Sequence, residues 1–382
     1  MESPLGGQDT VAPNGQETTD FVPALHGLRG IAALAVVLFH WYQFFPTFSQ
    51  IIEPDIAIGT VASPATYLGF GWLGVPLFFI LSGYLLGSKV LARPLTIEFL
   101  GRFWLRRFMR IYPAVWLHLT GLMVAAPLIA GLVAPGAGDS LALQFLLWIN
   151  MPPQMQAPIS NVLWTLPIEL SFYCALPFIG VLSRRLHWVG LLLISLTITL
   201  SWRLGVIWLS DLNDYTVMLP YLDMLPGTLF TFMVGYCLNF LPGRLGRRNT
   251  VLGLTIAVLV FLALLQWQLV LGKVYWSGHW ILGVWPPCVA CALAAVVYFS
   301  TRPDYRIIWL GHPFMVWLGN ISFGIYLWHY PILRSMNILD QTIWASPMGS
   351  LLALPVVLLL TLPIATMSYR FLERPLMGWR HS

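Results

Sequence analysis

The stretch LHGLRGIAALAVVLFHW, from Leu25 to Trp41, decides the fold class of this chain. It is apolar enough to form most of a membrane span, yet it carries Arg29 near one end and His40 near the other. The two residues are eleven apart, which is close to three helical turns, so both side chains project from one face of a helix, about 16 Å apart along its axis. Ionisable side chains at this depth are costly and mark functional sites by default.

The composition of the whole chain agrees with a membrane protein. Of its 382 residues, 58% are hydrophobic and only 9% are charged, whereas about a quarter of an ordinary soluble domain is charged. Breaks at Pro, Gly and charge clusters divide it into ten apolar candidate spans. These are residues 24–45, 66–88, 112–134, 160–182, 188–208, 223–241, 250–271, 280–300, 314–334 and 350–370. We therefore predict an all-α integral membrane protein, a single bundle of about ten transmembrane helices.

Basic residues fall in alternate connections between the predicted spans. Sixteen of the 20 Lys and Arg residues lie after even-numbered spans or at the C-terminal end, and such residues mark the cytoplasmic side. Both termini are therefore predicted to be cytoplasmic. Residues 1–20 are predicted to be a disordered cytoplasmic tail, residues 21–376 the transmembrane domain and residues 377–382 a cytoplasmic C-terminal end. This topology explains the net charge of +5 without nucleic-acid binding.

A cluster of arginines precedes the third predicted span, in RFWLRRFMRIYP from Arg102 to Pro113. Arg107 and Arg110 are three apart and therefore share a helical face. The interleaved aromatic residues predict a basic amphipathic helix that lies on the membrane surface. Guanidinium groups suit bidentate binding of phosphate, so we expect this helix to meet a phosphate-rich ligand that enters from the cytoplasm. A positive-inside stop signal explains the same run without a ligand.

Two further ionisable residues fall inside predicted spans. Glu169 lies in the outer half of the fourth span and His329 near the outer end of the ninth. Counting depth from the span ends places both at the level of His40, where a carboxylate would orient an imidazole or raise its basicity. For His329 the alternative is an interfacial aromatic belt, since Trp328 and Tyr330 flank it.

Ser82 lies in the second span, which is rich in small residues at helix-crossing spacings. Close helix packing explains this serine, and no nucleophile-elbow pattern surrounds it. The four cysteines all lie in apolar runs, which favours packing roles over a disulfide or metal framework. We predict no metal site.

Together these motifs resemble the acyltransferase-3 family of bacterial integral-membrane O-acyltransferases. The likeness covers Phe21 to about Leu376 and rests on LHGLRGIAALAVVLFH, GWLGVPLFFILSGYLLG, RRFMRIYP, LWTLPIELSFY, SFGIYLWHYPI and a closing LERP, in the family's order. The resemblance implies a ten-span core in the bacterial inner membrane. It further implies transfer of an acyl group, most often acetyl, from cytoplasmic acyl-CoA to a hydroxyl of a sugar, glycan or glycosylated small molecule, with no permanently bound cofactor.

The resemblance also implies roles for individual residues. His40 matches the family's essential histidine and Arg29 its partner arginine, and Arg107 with Arg110 matches the pair in the basic linker. Glu169 matches the glutamate of the tryptophan-to-glutamate motif. We expect three possible supporting residues: His329, Trp164 and Ser82.

Two features depart from the family's pattern. Many members have an acidic residue where this chain has Pro76, which removes one polar group from that region. Many members also carry an esterase-like domain, whereas this chain ends at Ser382 and resembles the stand-alone members.

The hypothesis is that acyl-CoA binds with its phosphates against the arginines and presents its thioester near His40. His40 then acts as general base or as a nucleophile that carries the acyl group, and the sequence leaves both open. The rival hypothesis is a multi-span transporter in which buried His and Glu residues form a relay. A third is an inactive scaffold for envelope assembly.

Overall fold

The computed structural model describes residues 22–53, 62–133, 140–209, 215–277 and 279–378, which are helical or connecting throughout. The predicted tail at 1–20 and the last four residues of the predicted C-terminal end lie outside these ranges. Ten principal helices are α1 Pro23–Phe44, α2 Gly74–Leu91, α3 Ile97–Ala125, α4 Thr165–Leu182, α5 Trp188–Leu209, α6 Leu225–Cys237, α7 Arg247–Leu271, α8 Ile281–Ser300, α9 Ser322–Leu339 and α10 Pro347–Ser368.

The prediction of an all-helical membrane protein is confirmed, but the number of spans is smaller than expected. Among the described residues, eight helical segments are long and apolar enough to cross a membrane, where ten were predicted. The segment that contains α6, Leu225–Phe240, is apolar but shorter than the others. The ninth predicted span is broken at Ile321 into a short helix, Pro313–Asn320, and α9. The cytoplasmic location of both termini stays a prediction.

Residues 102–113 are helical, as predicted, but they are continuous with the third candidate span and form the first half of α3; their location at the membrane surface stays a prediction. This helix begins at Ile97, since the Thr96 side chain accepts a hydrogen bond from the backbone N–H of Phe99 at 3.1 Å, as an N-cap residue does. Arg102 pairs with Glu98 one turn away at 2.7 Å. The basic residues therefore lie on the same helix as the third candidate span. Arg102 and Arg106 are exposed, whereas Arg107 and Arg110 are partly buried.

The connection between α3 and α4 folds back against α3. The Tyr112 hydroxyl donates to the carbonyl of Leu146 at 3.1 Å, and the Trp116 indole N–H donates to the carbonyl of Phe145 at 3.0 Å. Non-helical backbone at membrane depth needs such partners because lipid offers none. These contacts come from the middle of α3, so the connection extends along about half the length of that helix.

The α1 helix is packed on several sides because small residues let other backbones approach it. A side chain at Gly27 would place its Cβ 2.3 Å from the carbonyl oxygen of Leu310, and one at Gly74 would meet the carbonyl oxygen of Ala32 at 2.3 Å. Small residues play this part in membrane helix packing generally. The face of α1 that carries the arginine and the histidine is therefore held inside the bundle. By contrast, α5 and α7 are largely exposed along their spans.

A buried arginine ties together three helices of the bundle. Arg203 of α5 is 3% exposed. Its guanidinium donates to the carbonyls of Leu222, Gly227 and Leu282 at 3.0 to 3.3 Å. It also pairs with Asp223 at 3.4 Å. These contacts join α5, the start of α6 and α8, so Arg203 is an internal clamp rather than a topology signal.

We predict that Arg203→Met lowers stability by about 3–5 kcal/mol, because it leaves the Asp223 carboxylate without its charged partner. Thermal unfolding of the purified protein in detergent measures the effect. Lys273→Met is the matched control, since Lys273 is exposed and its replacement leaves the melting temperature unchanged. An equal melting temperature for both variants would show that the clamp is dispensable.

Candidate functional site

Two histidines meet inside the bundle. The Nδ1 atom of His40 in α1 lies 2.9 Å from the Nε2 atom of His329 in α9. The Nδ1 atom of His329 lies 2.8 Å from the carbonyl oxygen of Ile325, one turn earlier in α9. His329 is fully buried and His40 nearly so, and the ring of Tyr330 meets the ring of His40 edge-on at 5.0 Å. The structure thus brings together the predicted residues His40 and His329.

The carbonyl of Ile325 decides the tautomers of both rings. A carbonyl oxygen can only accept, so Nδ1 of His329 carries the hydrogen and Nε2 of the neutral ring is an acceptor. Nδ1 of His40 is therefore the donor between the rings, and the Val36 backbone carbonyl also accepts from His40. Nε2 of His40 is left with its lone pair. An imidazole in this state can act as a base or as a nucleophile.

The three predicted arginines form a second group, near the opposite end of the α1 polar face. Arg29 lies within electrostatic range of Arg107 and Arg110 of α3. All three side chains are partly exposed although they lie among packed helices, which indicates a cleft. Among the described residues, no carboxylate comes within 4.0 Å of any of the three guanidinium groups. The cleft therefore holds three cations that lack a direct ion pair.

Glu169 belongs to the arginine group rather than to the histidines. Its carboxylate accepts hydrogen bonds from the hydroxyls of Ser82, at 3.1 Å, and Tyr173. It also lies within electrostatic range of Arg29 and Arg107. The expected contact between Glu169 and His40 is wrong: within the described structure, the hydrogen-bond partner of His40 from another helix is a second imidazole.

The error comes from the depth at which α4 begins. Its entry, the 3₁₀ turn Asn161–Trp164, is partly buried rather than lying at the membrane surface. The hydroxyls of Thr165 and Tyr326 are 2.9 Å apart, and that of Tyr326 donates to the carbonyl of Val162 at 2.7 Å. Since Tyr326 is one turn from His329, α4 passes the level of the histidines at its first residue, and Glu169 lies one turn further along. Trp164 lines a small apolar pocket beside the start of α6.

Two residues at the site were missed from the sequence. His118 of α3 is fully buried and lies within electrostatic range of His329; it follows Arg107 by eleven residues, the spacing of Arg29 and His40. Glu373, from the LERP stretch, is buried in a π-helical turn after α10. Its carboxylate accepts from Ser368 at 3.1 Å and lies within electrostatic range of Arg110.

The described residues contain no evident metal-binding site. No group of three or more His, Cys, Asp or Glu side chains there could hold one. His40 and His329 thus meet as hydrogen-bonding partners.

Comparison with known proteins adds the family context. A family model described as "Acyltransferase domain" matches residues 22–370. The chain is 27% identical to the peptidoglycan O-acetyltransferase OatA of Listeria monocytogenes, over 93% of this chain and 56% of that protein. It is 26% identical to the putative peptidoglycan O-acetyltransferase YrhL of Bacillus subtilis, over 93% and 55%. It is 25% identical to the O-acetyltransferase OatA of Staphylococcus aureus, over 93% and 57%.

The chain thus spans a little over half the length of these relatives. No solved structure matches it.

We predict that, in the neutral protein, Nε2 of His40 is unprotonated and Nδ1 carries the hydrogen, because the carbonyls of Ile325 and Val36 require it. Nitrogen-15 NMR of protein labelled at histidine measures this tautomer, and His40→Gln identifies the signals. An Nε2–H signal for His40 would contradict the hydrogen-bond order derived from the structure.

Proposed function

The chain belongs to the acyltransferase family, and on that premise we propose that it moves an acyl group, acetyl in the simplest case, from cytoplasmic acyl-CoA to a hydroxyl of an envelope glycan. The observation that carries the proposal is the free Nε2 of His40 on the same helix face as Arg29. A reactive imidazole and a cationic cleft are the two parts that a phosphate-bearing thioester donor requires.

Charge supports the assignment of the cleft to the donor. Arg29, Arg107 and Arg110 contribute three positive charges, and Glu169 contributes one negative charge that two hydroxyls already bind. The net charge of these four residues is therefore positive, and one guanidinium group can bind two phosphate oxygens at once. In this proposal Glu169 holds the arginine cluster in place, a role different from the catalytic one expected from the sequence.

Distance supports the assignment of the thioester to His40. The eleven residues that separate Arg29 from His40 correspond to about 16 Å of helix. Acyl-CoA is itself extended, with its phosphates at one end and the thioester at the end of a linear arm. Phosphates at the arginines would therefore direct the thioester along α1 towards the histidine pair.

The chemistry follows from the free lone pair. Nε2 of His40 removes the proton from the acceptor hydroxyl as its oxygen attacks the thioester carbonyl. The carbon–sulfur bond then breaks, and the leaving thiolate takes the proton from the imidazolium. His329 accepts a hydrogen bond from Nδ1–H of His40 throughout and so stabilises the transient positive charge. In the covalent alternative, Nε2 attacks the thioester carbonyl and the carbon–sulfur bond breaks to release the thiolate. The acceptor hydroxyl then attacks the acyl-imidazole, the carbon–nitrogen bond breaks, and the hydroxyl proton passes to the thiolate.

The acceptor is proposed from the relatives. Two of the similar proteins are named as peptidoglycan O-acetyltransferases, one of them putatively, so peptidoglycan is the first acceptor to test. We place the enzyme in the bacterial inner membrane, with the arginine cleft open to the cytoplasm, where acyl-CoA is made.

We predict that His40→Ala reduces acetyl transfer by about 100-fold or more, the contribution expected of a general base. The assay incubates purified protein in vesicles with radiolabelled acetyl-CoA and muropeptides from digested peptidoglycan, and mass spectrometry detects the added acetyl group. His187→Ala is the control and keeps full activity, because His187 is exposed. A normal rate for His40→Ala would refute both routes, and uptake of an unmodified solute by the vesicles would favour the transporter.

We further predict that Arg107→Ala raises the KM for acetyl-CoA about tenfold or more, since a charge-assisted hydrogen bond to phosphate is worth roughly 1.5–3 kcal/mol, while kcat changes less. Steady-state kinetics with varied acetyl-CoA measures the split. Arg185→Ala, at an exposed position, serves as the control and leaves KM unchanged. A lower kcat with an unchanged KM would place Arg107 outside the phosphate site.

A further inference from the structure

A second polar face runs alongside the first. On α3, His118 follows Arg107 at the spacing by which His40 follows Arg29 on α1. Arg107 lies within electrostatic range of Arg29, and His118 lies within range of His329, which bonds His40. The two helices are therefore parallel, with arginines at one level and histidines at the other.

His118 has polar atoms that the protein leaves without partners. Within the described residues, neither ring nitrogen makes a hydrogen bond, and the same holds for Nε1 of Trp328. The ring of His118 meets the ring of Trp328 edge-on, with centroids 5.0 Å apart. Gly121 makes room for the indole, since a Cβ there would lie 3.3 Å from it. The two contacting rings therefore bring two N–H groups and one lone pair, none of them paired within the described residues, into the same part of the bundle.

The unpaired nitrogens of His118 need an explanation, because buried polar atoms are nearly always hydrogen-bonded. Several buried hydroxyls also lack a partner in the described structure, such as that of Thr250 in α7. His118 differs from these in having two unpaired nitrogens, in contacting an indole whose N–H is also unpaired, and in lying within electrostatic range of His329. A phenylalanine would fill the same space without leaving polar atoms unpaired.

We propose that His118 and Trp328 bind an oxygen-bearing group of a substrate at the histidine end of the cleft. The two N–H groups suit a carbonyl or hydroxyl oxygen, and the remaining lone pair accepts from an amide N–H or a hydroxyl. The donor offers such groups in its thioester and amide carbonyls, and the acceptor offers them in its hydroxyls. The inference rests on the proposed acyl transfer and adds a binding role for α3 beyond its arginines.

The test compares His118→Phe, which keeps a ring but removes both nitrogens, with His118→Gln, which keeps one donor and one acceptor. We expect His118→Phe to have a melting temperature equal to or above that of the wild type, because it removes unpaired buried atoms. Its kcat/KM falls about ten- to a hundredfold, as when a donor to a reacting oxygen is removed. His118→Gln recovers part of the rate. Thr250→Val, which also removes an unpaired buried polar atom, is the matched control and leaves the rate unchanged.

Two measurements identify the source of the oxygen. If the donor supplies it, His118→Phe weakens binding of acetyl-CoA, measured by the ligand-induced rise in melting temperature, and raises its KM. If the acceptor supplies it, acetyl-CoA binding is unchanged and the KM for the muropeptide probe rises.

Either result supports the proposal. A His118→Phe protein with full activity would overturn it, and so would a joint loss of stability and activity that glutamine does not recover, which is the signature of a packing residue. The proposed function fails separately, if the wild type neither binds nor consumes acetyl-CoA.

Discussion

The hydrogen bond between His40 and His329 is the contact on which the rest of the site depends. It is oriented by a backbone carbonyl, that of Ile325, which has only one way to pair with an imidazole nitrogen. The backbone of α9, held by its own helical hydrogen bonds, thus determines which imidazole nitrogen of His40 on α1 keeps its lone pair. Because the contact joins α1 to α9, any shift between these helices would change both the position and the protonation of the reactive ring.

The arginines and the histidines occupy different parts of the site. The arginines lie where the cleft is partly exposed, which lowers the cost of keeping them charged inside a membrane bundle. The histidines are buried, and two of them are satisfied as neutral rings by one another and by the backbone. The carboxylate that could have sat beside the histidines instead lies with the arginines. In the proposed mechanism, His40 is therefore positively charged only during the reaction, when a negative group is formed next to it.

Much of this arrangement was predictable from the sequence. The spacing of Arg29 and His40 fixed their shared helix face, and each of the ten predicted spans contains a helix. The second and ninth are interrupted, and the helix in the third ends at Ala125. The partner of Glu169 was not predictable by counting depth, because the turn before α4 is drawn into the bundle by Tyr326. The length of α3 could have been read from the capping signal at Thr96, which marks a helix start well before the apolar run. The eleven-residue spacing of Arg107 and His118 was visible in the sequence. An isolated histidine in an apolar run does not by itself predict a second polar helix face, and this face is recognised only from the positions of α1 and α3 in the structure.

The way Glu169 is held has a further consequence. Since two hydroxyls donate to Oε1 of its carboxylate and no arginine lies within 4.0 Å of it in the described structure, it moderates the field of the arginines without pairing directly with any of them. The empty cleft then attracts polyanions of any kind, and a nucleotide triphosphate carries as much negative charge as acyl-CoA. Electrostatic attraction raises the local concentration of all such molecules but does not discriminate among them. In the proposed function, discrimination among cellular nucleotides therefore comes from the uncharged end, where the donor presents a long arm and a reactive carbonyl to the imidazole.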